Sequence, residues 1–277
     1  MCSRETGLTV EQINSLLTEI SSSSVIRSLD LIDKNLFQAS VELMVAAFTA
    51  LESLTLHYGT LIGGTNINTL LTALGSSSGT SNLTELSLRN ISLNHIDPGV
   101  MGRSVRNLRS LEIMISDLLP SQLEAMFTTF VRREAGVKLK QLCLSHNDLS
   151  QLSPELFVDV CKDVENLEIF CAKVTTAQME ALFKAVNLSK SNLRELNSNY
   201  NDLSCVDPEV LAQGVNSLHK AYLYKTELTE AQVEAILEAS TRQSRLYSLD
   251  LRYNNKNHSF SQLSSKYLRS RIYKIEM

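Results

Sequence analysis

Cys143 and His146 are spaced C-x-x-H, and Cys171 follows His146 by one repeat interval of 25 residues. A thiol beside an imidazole could make a nucleophile pair, and the three together could make a partial metal site. Neither reading is completed by the sequence: a fourth ligand is not evident, and no Asp or Asn is placed to orient the imidazole. The carboxylates Glu85, Glu112, Glu168 and Glu195 occur on neighbouring strands of the repeat pattern. General acid–base work would require one of them to carry a shifted pKa in a closed pocket. A solvated rim is the plainer reading, and an open wall of side chains does not exclude water. Arg132-Arg133 and the run Lys266, Arg269, Arg271, Lys274 are too sparse for a phosphate-backbone stripe and read as solvated surface. No GxxxxGK[ST] phosphate loop occurs. The residues therefore predict no catalytic centre, no metal and no cofactor.

The elements that would position these side chains follow from the spacing of leucine. Nine segments fit L-x-x-L-x-L-x-x-(N or small)-x-L, beginning at Ile26, Leu51, Leu83, Leu108, Leu139, Val164, Leu193, Leu218 and Leu246. The steps between them are 25, 32, 25, 31, 25, 29, 25 and 28 residues, short and long in strict alternation. The unit is thus a pair of turns. Odd segments are followed by short links such as Val206 to Leu218, even ones by long links such as Thr229 to Leu246. Each link predicts a helix: Asp97-Pro98, Ser153-Pro154 and Asp207-Pro208 pair a capping side chain with a first-turn proline, and Thr229 is placed to cap. Each L-x-L predicts a strand of three or four residues with its leucines turned inward.

A strand and a helix repeated at this period bury their apolar faces only by stacking on neighbours. Parallel strands sit about 4.8 Å apart, and wider helices outside them bend the stack. The predicted fold is a right-handed α/β solenoid, a horseshoe with the parallel sheet on its concave face and helices on its convex face. Asn147, Asn201 and Asn254 occupy the ninth position of odd segments, where an amide can satisfy backbone groups between turns. Residues 1–277 read as one repeat domain: a helical half-repeat over 1–25, the nine segments over 26–257, and a last helix and strand or cap over 258–277. Ile272, Ile275 and Met277 fall in the register of a tenth segment. The chain begins in mid-repeat and ends on a strand, so it reads either as capped or as part of a longer multidomain chain. The run at Gly75 to Ser81 reads as a joint within one link.

The motifs LTELSLRNISL, LKQLCLSHNDL and LYSLDLRYNNK resemble leucine-rich repeats. Their alternation is similar to the ribonuclease-inhibitor-like subclass, which includes the repeat domains of cytosolic nucleotide-binding immune receptors. That resemblance implies a protein-binding scaffold, with a role in innate immunity among its associations, and says nothing of the partner's identity.

The second, third, fifth, seventh and eighth motif positions should face the concave side or its rim. Six of the eight tyrosines (Tyr58, Tyr200, Tyr222, Tyr224, Tyr247, Tyr253) fall on that surface or its rim, with Lys225, Asp250 and Arg252 among them. Tyrosine offers large contact area and a hydroxyl at low entropic cost, which suits an interface. Packing across the sheet is the alternative reading of the same residues. Met114, Ile115, Phe170 and Cys171 form a second, apolar group. The protein-binding residues read from the sequence are Met114, Phe170, Tyr200, Tyr222, Tyr224, Lys225, Tyr247, Asp250, Arg252 and Tyr253.

Lys and Arg total 26 against 30 Asp and Glu, a net charge of −4, which disfavours nucleic acid and anionic membrane as partners. Five cysteines without CxxC, and no apolar leader, favour a reduced, cytoplasmic setting. The leading function is a non-enzymatic module that binds a protein partner. A structural or engineered scaffold without a natural ligand is one alternative. A GTPase-activating leucine-rich-repeat protein, with Arg89 as the nominated group, is the other.

Overall fold

The structure is a computed structural model that describes residues 9–32, 36, 39–57, 64–76, 81–133, 137–187, 191–242, 244–254 and 274–276. The chain forms two compact units, Met1–Val137 and Lys138–Met277. The run at Gly75 to Ser81 and Tyr58 lie partly or wholly outside the described residues.

The first unit alternates α1 (Val10–Ser22), β1 (Ser28–Ile32), α2 (Val41–Ala50), β2 (Ser53–His57), α3 (Gly64–Gly75), β3 (Glu85–Arg89), α4 (Pro98–Ser104), β4 (Ser110–Met114) and α5 (Pro120–Val131). Its strands pair parallel in chain order with motif positions in register: Leu29, Leu54, Leu86 and Leu111 are successive partners. The second unit runs β5 (Gln141–Cys143), α6 (Pro154–Cys161), β6 (Asn166–Glu168), α7 (Thr176–Asn187), β7 (Glu195–Asn197), α8 (Pro208–Asn216), β8 (Lys220–Tyr222), α9 (Glu230–Arg242), β9 (Ser248–Asp250) and β10 (Lys274–Glu276). Here Leu142, Leu167, Leu196, Ala221, Leu249 and Ile275 hold the same parallel register. Each unit is a right-handed α/β solenoid, because a parallel strand–helix–strand crossover packs back onto its sheet with that hand. The tenth-segment register is seen at Ile275, opposite Leu249.

Core and surface sort along each strand by the two-residue period. In the second unit Leu142, Leu144, Leu167, Ile169, Leu196, Ala221, Leu223, Leu249 and Leu251 are buried, beneath Phe157 and Phe183 of the helices. Asp97, Ser153 and Asp207 cap α4, α6 and α8 through the N–H groups of Val100, Leu156 and Val210. These short helices span 7, 8 and 9 residues, whereas α5, α7 and α9 span 12, 12 and 13, so the alternating links become alternating helix lengths.

The strands of the first unit are five residues long, longer than the leucine pattern predicts, while those of the second are three. Side chains enter the ladder in the second unit: Ser145 Oγ accepts from Phe170 N at 3.2 Å and Asn199 Oδ1 accepts from Tyr224 N at 2.7 Å. Backbone pairing continues past them, as in His146 N to Phe170 O and Tyr200 N to Tyr224 O.

Amides tie successive turns together. Asn201 Oδ1 accepts from Ala172 N and Val174 N, and its Nδ2 donates to Ile169 O at 2.7 Å and Ser198 O at 3.0 Å. Asn254 repeats this against Thr226 N, Leu228 N and Leu223 O. A second series comes from the long helices. Gln178 Oε1 accepts from Thr175 N, while its Nε2 donates to Leu149 O and Leu152 O, all at 2.8 Å. Gln122 and Gln232 do the same toward Leu93 and Ile96, and toward Leu203 and Val206. Gln178 and Gln232 complete capping boxes with Thr175 and Thr229, while Gln122 makes only the half that accepts from Leu119 N. Each glutamine donates to two carbonyls of the preceding turn, the first of which (Leu93, Leu149 or Leu203 O) also accepts a backbone N–H.

Candidate functional site

Every described eighth motif position has left-handed backbone: Asn90, Ile115, His146, Cys171, Tyr200, Lys225 and Tyr253 have φ between 50° and 60°. In even segments the tenth position is left-handed as well, at Asp117, Lys173 and Glu227. Side chains other than glycine occupy this region at a cost, and the amide bridges above fix the surrounding loop around them.

In the second unit this geometry lines up five rings on the sheet face away from the leucine core. His146, Phe170, Tyr200, Tyr224 and Tyr253 form a continuous row, with centroids 4.7, 4.9, 5.3 and 4.9 Å apart in that order. The interval is that of neighbouring strands. The row zigzags: His146, Tyr200 and Tyr253 are eighth positions of odd segments, Phe170 and Tyr224 seventh positions of even ones. The seventh positions of the intervening odd segments, Ser145 and Asn199, are withdrawn into the backbone bonds already described. His146–Phe170 and Phe170–Tyr200 meet edge to face, an arrangement worth about 0.5–1.5 kcal/mol per pair beyond burial.

Packing does not cover the row. Tyr253 is 74% exposed and Tyr200 41% exposed, and the neighbouring Tyr200 hydroxyl pushes the Tyr224 phenol above its ordinary pKa. Cations lie on the rings: Lys225 Nζ is 4.9 Å from the Tyr200 centroid and the Arg252 guanidinium carbon 5.7 Å from that of Tyr224. Arg252 is held from beneath by Asp250, Nε to Oδ1 at 2.9 Å and Nη2 to Oδ2 at 2.7 Å. Asp250 is itself buried, so it orients Arg252 rather than presenting a contact surface, unlike its place in the sequence reading. Tyr222 lies on the same face between Asn197 and Asp250. Tyr247 stands at the rim, tilted on His219 at 6.1 Å, with Lys220 Nζ 5.9 Å from its ring.

Met114 belongs to the first unit, at the end of β4, where it is half-buried beside an exposed Ile115. There Arg89 Nη2 bonds Glu112 Oε2 at 2.7 Å, and Ser87 Oγ bonds the same oxygen. The nominated Arg89 is therefore engaged in an ion pair. Glu195 pairs with Lys220 at 2.7 Å.

Cys143 Sγ sits 3.4 Å from Ser145 Oγ and 3.9 Å from Glu168 Oε2, whereas His146 packs its ring on Phe170. Cys143 and Cys161 are buried free thiols, Cys171 and Cys205 exposed ones, and burial pushes the Cys161 thiol far up. Among the described residues no three His, Cys, Asp or Glu side chains are grouped to hold a metal ion. Among them also, no helix is long and apolar enough to cross a membrane.

Sequence reasoning located the tyrosines but missed the contributions of His146, Ser145 and Asn199 to the row. The only signal for them was the alternation of polar and aromatic residues at the seventh position.

No protein-family model matches the chain, and no curated protein matches it. Among solved structures it is similar to the leucine-rich-repeat-containing protein LegL7 from Legionella pneumophila, at 17% identity and a TM-score of 0.47, over 94% of this chain and 85% of that one.

Proposed function

We propose that the chain is a non-enzymatic recognition module that binds a protein partner through the strand face of its second unit. The row His146–Phe170–Tyr200–Tyr224–Tyr253 carries this reading. Five contacting rings lie outside the core, with two cations stacked on them and hydroxyls at their rim. A partner would bury aromatic area that is already ordered, so little side-chain entropy is lost on contact. Tyr222, Tyr247 and Lys225 extend the surface, and Asp250 serves by fixing Arg252.

The alternation of short and long helices supports placing the repeats in the ribonuclease-inhibitor-like subclass, and free thiols in the second unit suit a cytoplasmic setting. A role beside cytosolic immune receptors follows from the same likeness and belongs to this proposal.

The test compares the full chain with a Tyr222→Ala, Tyr224→Ala, Tyr253→Ala variant as bait in native lysate, after circular dichroism and urea melts show both folded. The expected result is a protein captured by the first and not by the second. Equal capture by both would remove the site, and accelerated GTP hydrolysis by a captured protein would replace recognition with catalysis.

A further inference from the structure

Within the first unit, on its helix side, a cleft of about 530 Å³ opens between the turn that follows α4 and the end of α5. Arg106 and Asn107 line it from one side, Thr128, Thr129, Arg132 and Arg133 from the other. Three guanidinium groups around one cleft, with no carboxylate among its described lining residues, is an anomaly in a chain of net charge −4. A ligand of opposite sign would interact favourably with all three.

Arg133 departs from the solvated surface its sequence suggests. Its Nη1 donates to Leu108 O at 2.7 Å and its Nη2 to Val105 O, and its guanidinium lies 4.5 Å from the Phe130 ring centroid. Both bonds are to neutral carbonyls, so they fix the group without cancelling its charge. Its Nε is buried with no hydrogen-bond partner among the described residues. Burial pulls its pKa down to about 10. Arg106 is anchored by Nη2 to Ser76 O at 3.0 Å, and Arg132 is exposed. Two anchored cations and one exposed cation, with the Asn107 amide and the Thr128 hydroxyl beside them, form a donor set that matches phosphate oxygens, while the Thr129 hydroxyl donates to Ala125 O at 2.9 Å.

We propose that this cleft binds a phosphate-bearing anion. The volume lies within the range of small-molecule sites, and the site is independent of the aromatic face of the second unit.

The test titrates the full chain with inorganic pyrophosphate by calorimetry at low salt, alongside an Arg106→Gln, Arg132→Gln variant that leaves the structural Arg133 in place. Arg27→Gln removes a charge elsewhere in the same unit and serves as control. Saturable binding by the wild type and the control, weakened at least about tenfold in the double variant, supports the site. No saturable heat, or equal affinity in all three proteins, overturns it. Co-sedimentation with neutral vesicles carrying phosphatidylinositol bisphosphate locates the source. Capture that pyrophosphate displaces assigns the anion to a headgroup, and pyrophosphate binding without capture assigns it to a soluble ligand. Capture undiminished in the double variant counts against the cleft.

Discussion

Replacing Gln178 by Leu keeps the side chain's bulk and removes all of its side-chain hydrogen bonds. Gln178 is fully buried, and the substitution leaves Leu152 O without a donor and Thr175 N without its acceptor, while Leu149 O keeps only the backbone N–H of Leu152 at 3.1 Å. A buried orphan costs about 1–3 kcal/mol. One lies in the interior and the other, at Thr175, is only partly buried, so the loss should be about 2–4 kcal/mol against a total stability of about 5–15 kcal/mol. Thr175→Ala removes only the bond from Gln178 N to Thr175 Oγ1, 3.2 Å long, and should cost about 1 kcal/mol. Urea titration followed by circular dichroism measures both. The double variant should lose less than the sum, because the two side chains share one capping box. Gln213→Leu, on an exposed helix face, should stay within about 0.5 kcal/mol of wild type. If Gln178→Leu lost no more than Gln213→Leu, the glutamine would be a cap alone and the bridging argument would be wrong.

Two further substitutions probe the second unit by the same urea assay. Gly214→Ala would ordinarily strengthen α8, but a Cβ there runs into the Cβ and ring of buried Phe183, so a loss of about 1–3 kcal/mol is expected; a gain would show that α7 and α8 have slack. Ser198 sits at a core strand position where other segments carry Leu or Ile, fully buried, its hydroxyl without a partner among the described residues. Ser198→Ala should therefore raise stability by about 1 kcal/mol, and a loss would reveal a bond to that hydroxyl.

Strand register, the alternation of links and the helix starts were legible because each rests on a local pattern: L-x-L for the strands, Asp-Pro or Ser-Pro for the short helices. Asn201 and Asn254 were legible as bridges because their position in the motif leaves an amide no other way to face. The glutamines were not. Gln178 lies in a helix whose sequence, TTAQMEALF, announces only a cap, and its second role depends on carbonyls 26 and 29 residues upstream. The aromatic row was half legible. Counting columns found Tyr200, Tyr224 and Tyr253, yet a column treats the seventh and eighth positions as separate surfaces. Left-handed backbone at the eighth position merges them into one line, and that conformation has no marker here, since none of the residues adopting it is glycine. Arg133 was misplaced for a related reason: a dibasic pair at a helix end reads as solvated unless the carbonyls it reaches are known.

The amide bridges bear on how such a chain could lengthen. In the second unit Asn201 and Asn254 point from an odd turn to the even one before it, and Gln178 and Gln232 from a long helix to the short-helix turn before it. Duplicating one turn would set like beside like, leaving amides aimed at groups already occupied and carbonyls with nothing aimed at them. Copying two turns at once restores every donor to an acceptor. Growth by recombination is thereby confined to steps of two, and an ancestor with an odd number of inserted turns would have carried a fault line through its middle.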